Sequence, residues 1–257
     1  MKILSYGGGV RSFALAILAA HGVIDYDMFI FANVGNDSEH PDSLRHIHDV
    51  QRPFMETNGL RFVELQPTKR TLLQHMLESQ RSIPIPVVLP STAHGNRTCT
   101  VDYKIKVVDR YVRNTLKRKT YTVGLGISMD EFQRARSATD DKLPHRTREY
   151  PLISLRLSRD DCKQIILNEG LPIPPKSACW FCPFQKRQQW QVLHDDHPEL
   201  FRQAIELEQI VQARRVELGR DTVWLSKAMI PLSQLCTANQ TQFDFDDIAC
   251  ESGYCMT

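Results

Sequence analysis

The chain has 257 residues, 42% of them apolar and 24% charged, enough for a sizeable core in one large domain or a domain with an appendage. Lysine and arginine number 32 against 30 acids, so the net charge of +2 excludes a histone-like basic binder and an acidic tail, though not a local basic patch. No apolar run reaches bilayer length, which excludes a membrane-spanning helix and makes the cytoplasm the expected compartment.

Residues 2–6 predict a short strand, broken by Gly7-Gly8-Gly9, and residues 12–20 predict a helix rich in Ala, Leu and Ile. Residues 28–34 form a second apolar run, expected to be buried on both faces. Pro41 opens a helix to about residue 58, which Gly59 stops. A third strand follows at 61–65 and a helix at 72–80. Pro84, Pro86 and Pro90 mark a non-helical stretch, residues 102–117 a helix, and 120–125 a fourth strand. This alternation predicts an α/β fold, a parallel sheet with helices on both faces that binds ligands beyond the carboxyl ends of its strands.

Past residue 126 the texture changes. Charges crowd 130–149, residues 150–153 read as an extended piece, and Ser158 caps a helix to about 169. A proline-rich turn leads to Cys179-Trp180-Phe181-Cys182, and 198–219 is a long polar helix. The expected organisation is an α/β core over 1–126 and a mainly helical, cysteine-bearing region over 127–257 folded against it.

The triplet Gly7-Gly8-Gly9, between a strand and a helix, suits an anion. Contiguous glycines let backbone amides converge, and the helix start adds free N–H groups. Ser12 can add a hydroxyl and Arg11 a fixed charge. The spacing is neither Walker A nor the dinucleotide fingerprint. A tight turn that binds nothing is the plain alternative.

Seven cysteines make a poor disulfide framework, and in a reducing compartment their spacing points to metal or redox work. Cys179 and Cys182 can hold one metal ion or part of an iron–sulfur cluster, and spacing does not separate zinc from iron–sulfur. Cys236 reads as structural. His46 and His48, two apart on a helix, do not share a face. His94 is a candidate acid or contact residue at a site edge. Lys104 and Lys106 could neutralise a cluster or contact phosphate, or be surface lysines, and Arg97 could stabilise the neighbouring Cys99 thiolate.

The segment from Ser5 to Ser12 resembles the pyrophosphate-binding loop of the adenine nucleotide alpha-hydrolase (PP-loop ATP pyrophosphatase) superfamily. Gly8, Gly9 and Ser12 match it, Gly7 replaces a serine and Arg11 an aspartate. Residues 33–43 are similar to the strand-end motif of phosphoadenosine phosphosulfate (PAPS) reductases, with Asn33 and Gly35 beside the adenosine. Gly124 to Glu131 with Arg134 is similar to the loop that closes over the phosphate side, although Leu125 replaces its arginine. Cys99-Thr100 with Tyr103-Lys104, then Asp161-Cys162, then Ser177-Ala178-Cys179 with Cys182-Pro183-Phe184 resemble a cysteine-rich subgroup of PAPS reductase-like proteins.

The resemblance implies a Rossmann-like (HUP-type) fold. It implies an adenine nucleotide (ATP, PAPS or adenylylsulfate) on Ser5, Gly7, Gly8, Gly9, Arg11, Ser12, Asn33, Gly35, Gly126 and Arg134, with magnesium a further candidate. The adenosine is expected between strands one and two, and Arg136 could share the phosphate contact with Arg134. It also implies a [4Fe–4S] cluster, or alternatively zinc, on Cys99, Cys162, Cys179 and Cys182. Without Cys162 three ligands remain and one iron stays open to a substrate sulfur. Cys250, Cys255 and Arg11 are the candidate catalytic residues, the two thiols attacking sulfur or resolving a persulfide.

The implied activity is sulfur transfer or reduction, with a sulfur donor or thiol reductant as partner and a nucleic acid among the conceivable acceptors. The alternative is a regulatory or nucleic-acid-modification partner protein with a structural four-cysteine zinc site.

Overall fold

The computed structural model describes residues 1–135 and 143–236. Five strands, β1 Lys2–Tyr6, β2 Met28–Ala32, β3 Phe62–Leu65, β4 Tyr121–Leu125 and β5 Arg146–Glu149, form one parallel sheet in the order β3-β2-β1-β4-β5. Helices cover both of its faces. This is the expected α/β, Rossmann-like architecture.

The two-residue period of the strands builds two cores. Leu4, Tyr6, Phe29 and Phe31 pack with Phe13 and Ile17 of α1 (Val10–Ala20), with Ile47, and with Cys162 and Ile166 of the helix Arg159–Asn168. Ile3, Met28, Ile30 and Val123 point the other way, onto Val108 and Val112. Every residue of β2 is buried, as a strand covered on both faces must be.

Residues 41–57 run as one helix through Pro41–His46, a π-helical turn Ile47–Gln51, and Arg52–Thr57. It ends at Gly59 in the left-handed conformation, φ +69°. Residues 98–115 form a second long helix with two π-helical turns. Ser158 caps Arg159–Asn168 reciprocally with Asp161.

Two expectations are corrected. Residues 146–149 form β5 and residues 151–154 a single helical turn behind Pro151, rather than an extended piece. β5 is an edge strand of Arg-Thr-Arg-Glu, and charge on an edge strand hides the apolar signal used to find strands. The sheet therefore continues past residue 126, where a boundary was expected.

A third core lies beyond the sheet. The helix Arg187–Asp196, not foreseen, and Pro198–Glu217 bring Trp190, Leu193, Phe201, Leu207 and Val211 against Val34, Leu72 and Trp180. Buried Glu208 accepts the backbone N–H groups of Leu225 (2.9 Å) and Leu232 (2.8 Å), tying the following segment to its helix. No helix of the described residues is long and apolar enough to cross a membrane.

Candidate functional site

Strand order reverses at β1, so the switch point of the sheet lies between β1 and β4. A cleft opens there beyond their carboxyl ends, where such sheets bind ligands. Ser5, Gly7, Gly9, Arg11 and Ser12 line it from one side, Gly126 and Arg134 from the other. The adenosine position expected between strands one and two is not where this cleft lies. Asn33 is buried, giving its amide to Asn36 (2.8 Å) and Glu64 (2.7 Å) and accepting Gly35 N–H (2.8 Å). Gly35 sits at φ +127°, where a Cβ would meet Thr71 at 2.5 Å. Both build the turn after β2, and neither lines the cleft.

The loop is held from behind. Gly8 takes φ +72°, and its carbonyl accepts Gln51 Nε2 at 2.8 Å. Gln51 is fully buried, receives the Tyr6 hydroxyl and meets His46 Nδ1 at 2.8 Å. Ser12 Oγ turns back to the Gly9 carbonyl (2.9 Å), and the Ser177 hydroxyl donates to the Gly7 carbonyl. Gly9 gives α1 no side-chain cap, so its first N–H groups face the cleft region uncapped by the loop's side chains.

Four cations, Arg11, Arg134, Arg159 and Lys176, line the cleft, and no acid is among its lining residues. Behind them, Arg11 meets Glu131 at 3.1 Å and Ser128 Oγ at 2.7 Å, and Arg134 also pairs with Glu131. The Glu131 side chain is 7% exposed, so one carboxylate divides its charge between two guanidinium groups. Arg11 also has Asp130 Oδ2 at 4.0 Å, so an anion entering the cleft meets oriented cations with one buried and one exposed counter-charge.

The thiols separate into two groups. Cys99, Cys179 and Cys182 line one pocket with Val34, Ile85 and Phe184. Lys104 and Arg97 line it too, whereas Lys106 pairs with Asp102 at 2.7 Å on the surface. Burial pushes the Cys179 thiol well above its ordinary value, and Glu39 and the thiols of Cys182 and Cys99 push the same way. Cys162 is elsewhere: it is fully buried in the α1 core, and burial raises it to about 12. The structure thus assembles three of the four expected thiols and leaves Cys162 as a core residue, because its helix packs on α1 at the far side of the loop.

Cys236 packs against the third core. His94 meets Phe184 edge to face with ring centroids 4.7 Å apart, at the edge of the thiol pocket. His46 and His48 have different partners, Gln51 and Glu64. Arg136, Cys250 and Cys255 lie outside the described residues.

Four contributors went unnoticed in the sequence, Arg159 of the cleft wall being the first. Lys176 and Ser177 reach the cleft, and the serine immediately before Ala178-Cys179 was the available signal. Glu39 forms a backbone bridge with Cys179, is 3% exposed and has no hydrogen bond at Oε1. Burial raises its carboxyl, and the Lys104 charge partly offsets this. Among the described residues, one set of three metal-ligating side chains brings its donor atoms within 4.8 Å of one another: His40, Asp42 and His197.

No protein-family model matches the chain, and no curated protein matches it. Among solved structures it is similar to the U34-tRNA thiolase NcsA from Methanococcus maripaludis with its [4Fe-4S] cluster. The two are 14% identical, with a TM-score of 0.43 over 94% of this chain and 83% of that one. A likeness at that level transfers no activity and no residue role.

Proposed function

We propose that this chain is a PAPS reductase-like, adenine-nucleotide-binding enzyme of sulfur transfer or reduction, using an iron–sulfur centre held by Cys99, Cys179 and Cys182. One observation carries the reading. A single segment serves both sites: Pro175, Lys176 and Ser177 line the cationic cleft, and Cys179 and Cys182 line the thiol pocket. An adenylate phosphate on the glycine loop and a sulfur centre on the thiols would therefore share one piece of backbone.

The donor set fits such a group. Three sulfurs converge in an apolar pocket that also carries Arg97 and Lys104, and thiolates there would be costly without a metal or a cation to offset them. An iron–sulfur cluster is the group this reading places there, with zinc held by the same thiolates as the alternative. When bound, such a cluster supplies thiolate-ligated iron with one position left for an external sulfur. The residues themselves bind and orient. The loop amides and the cations hold phosphate, Glu131 keeps Arg11 and Arg134 aimed, and the apolar wall of Val34, Ile85 and Phe184 excludes water.

Protein purified without oxygen tests this. The expected content is about four irons and four acid-labile sulfides per chain. Replacing Cys99, Cys179 or Cys182 with Ser should abolish most of it, and Cys162→Ser should leave it intact. One zinc per chain without sulfide, or loss of iron on Cys162→Ser equal to that on Cys179→Ser, would overturn the assignment.

A further inference from the structure

Away from the cleft, two histidines occupy matching positions. His40 precedes Pro41 at the start of the helix 41–57, and His197 precedes Pro198 at the start of Pro198–Glu217. Proline at the next position disfavours helical backbone at each histidine, so both stand just outside their helices. They sit at φ −65°, ψ 128° and φ −136°, ψ 60°. Their rings meet edge to face with centroids 5.1 Å apart. Asp42, in the first turn of the helix 41–57, completes the group: its Oδ2 lies 2.7 Å from His197 Nε2 and 3.8 Å from His40 Nδ1.

We propose that His40, Asp42 and His197 form a site for one divalent transition-metal ion of the zinc class, separate from the thiol pocket and independent of the sulfur chemistry proposed above. The donor types decide the class. Two imidazoles and one carboxylate suit zinc and its neighbours, whereas magnesium and calcium take oxygen. The three donor atoms already lie within 4.8 Å of one another, close enough to converge on one ion.

The groups around the site support the donors. His40 Nδ1 accepts the Asp42 N–H at a long 3.3 Å, a weak bond that the ion would displace. Arg45 binds the other carboxylate oxygen, Oδ1, at 2.9 Å and fixes the carboxylate's plane, as partners behind metal ligands do. The side chains are 17%, 33% and 21% exposed for His40, Asp42 and His197, so solvent reaches the group and water can complete the coordination.

The ion would join three parts of the fold. The His40 N–H bonds the Ala178 carbonyl at 3.1 Å, and Glu39 bridges Cys179, so the site adjoins the backbone of the cysteine knuckle. His197 lies where Arg187–Asp196 ends and Pro198–Glu217 begins. A bound ion would pin this corner of the third core to the helix behind the glycine loop.

The test is zinc titration of the full chain followed by zinc-edge X-ray absorption. The expected result is a shell of nitrogen and oxygen at about 2.0–2.1 Å with imidazole scattering. It should persist in Cys179→Ser and disappear in His197→Gln. Asp42→Asn, which keeps the side chain's shape, should weaken affinity at least tenfold. Sulfur scattering alone at about 2.3 Å, no zinc uptake by Cys179→Ser, or a nitrogen shell that survives His197→Gln would overturn the proposal. Circular dichroism matching wild type ensures that loss in a variant reports the ligand; should His197→Gln misfold, Asp42→Asn decides.

Discussion

Gly8 is the position where the glycine loop is most sharply constrained. Its φ is +72°, and a Cβ there would lie 2.3 Å from Ile47 Cδ1 and 2.8 Å from Ile47 Cγ1. Left-handed backbone costs a residue with a Cβ roughly 1–2 kcal/mol. Forcing an extra carbon into a packed contact adds about 1–3 kcal/mol, since Ile47 is 1% exposed and cannot swing into solvent. Gly8→Ala should therefore lose about 2–5 kcal/mol. With a urea m-value of about 3 kcal/mol/M, the unfolding midpoint would fall by roughly 1 M. Gly7→Ala is the control: nothing lies within 4 Å of its Cβ, and its change should stay within about 0.5 kcal/mol. Ile47→Val removes Cδ1 and should recover part of the loss, giving a coupling of about 1 kcal/mol in a double-mutant cycle. Urea unfolding followed by tryptophan fluorescence reads all five proteins: wild type, the three single variants and the double variant. A Gly8→Ala midpoint equal to that of Gly7→Ala, or additive effects of Gly8→Ala and Ile47→Val, would refute the reasoning that loop shape is set by this contact.

Two further predictions follow from the charges and the thiols. Glu131→Gln leaves Arg11 and Arg134 facing each other without their shared carboxylate; breaking such a buried pairing costs about 3 kcal/mol or more. Pyrophosphate should then stabilise the variant more than wild type in a thermal shift, and equal shifts would count against an anion cleft at Arg11. Cys162 is held at about 12 by burial, above its ordinary value of 9.0. The neutral thiol is the form the fold accepts, so its stabilisation is complete below about pH 9 and is lost as pH rises toward 12. The urea midpoint of wild type should therefore fall relative to Cys162→Ala between pH 8.5 and 10.5, about the range accessible before general alkaline unfolding. Parallel curves would show the thiol to be solvated.

Much of the sheet was legible because its signals are local. β2 is Met-Phe-Ile-Phe-Ala, and a run so apolar can only be covered on both faces. Ser158 and Asp161 predict their own capping box, and Gly59 its own helix end. β5 escaped notice because its hydrogen bonds to β4 come from a charged edge segment with no apolar period. The glycine loop and the Cys179–Cys182 knuckle were likewise visible as spacings along the chain.

What joins them was not visible. Cys99 and Cys162 were both expected ligands in the sequence, with Cys162 the one whose loss would leave three. The packing of Arg159–Asn168 on α1 sends Cys162 into the first core, whereas Cys99 enters the pocket of Cys179 and Cys182. His40 and His197 stand 157 positions apart along the chain, and only the docking of two helix starts brings their rings together. The chain alone determined the turns, caps and strand runs, because those depend on neighbours within a few residues. Tertiary structure decided which thiols meet, where the cleft opens and which carboxylate lies among the arginines, because burial and charge pairing depend on neighbours that arrive only when the helices pack.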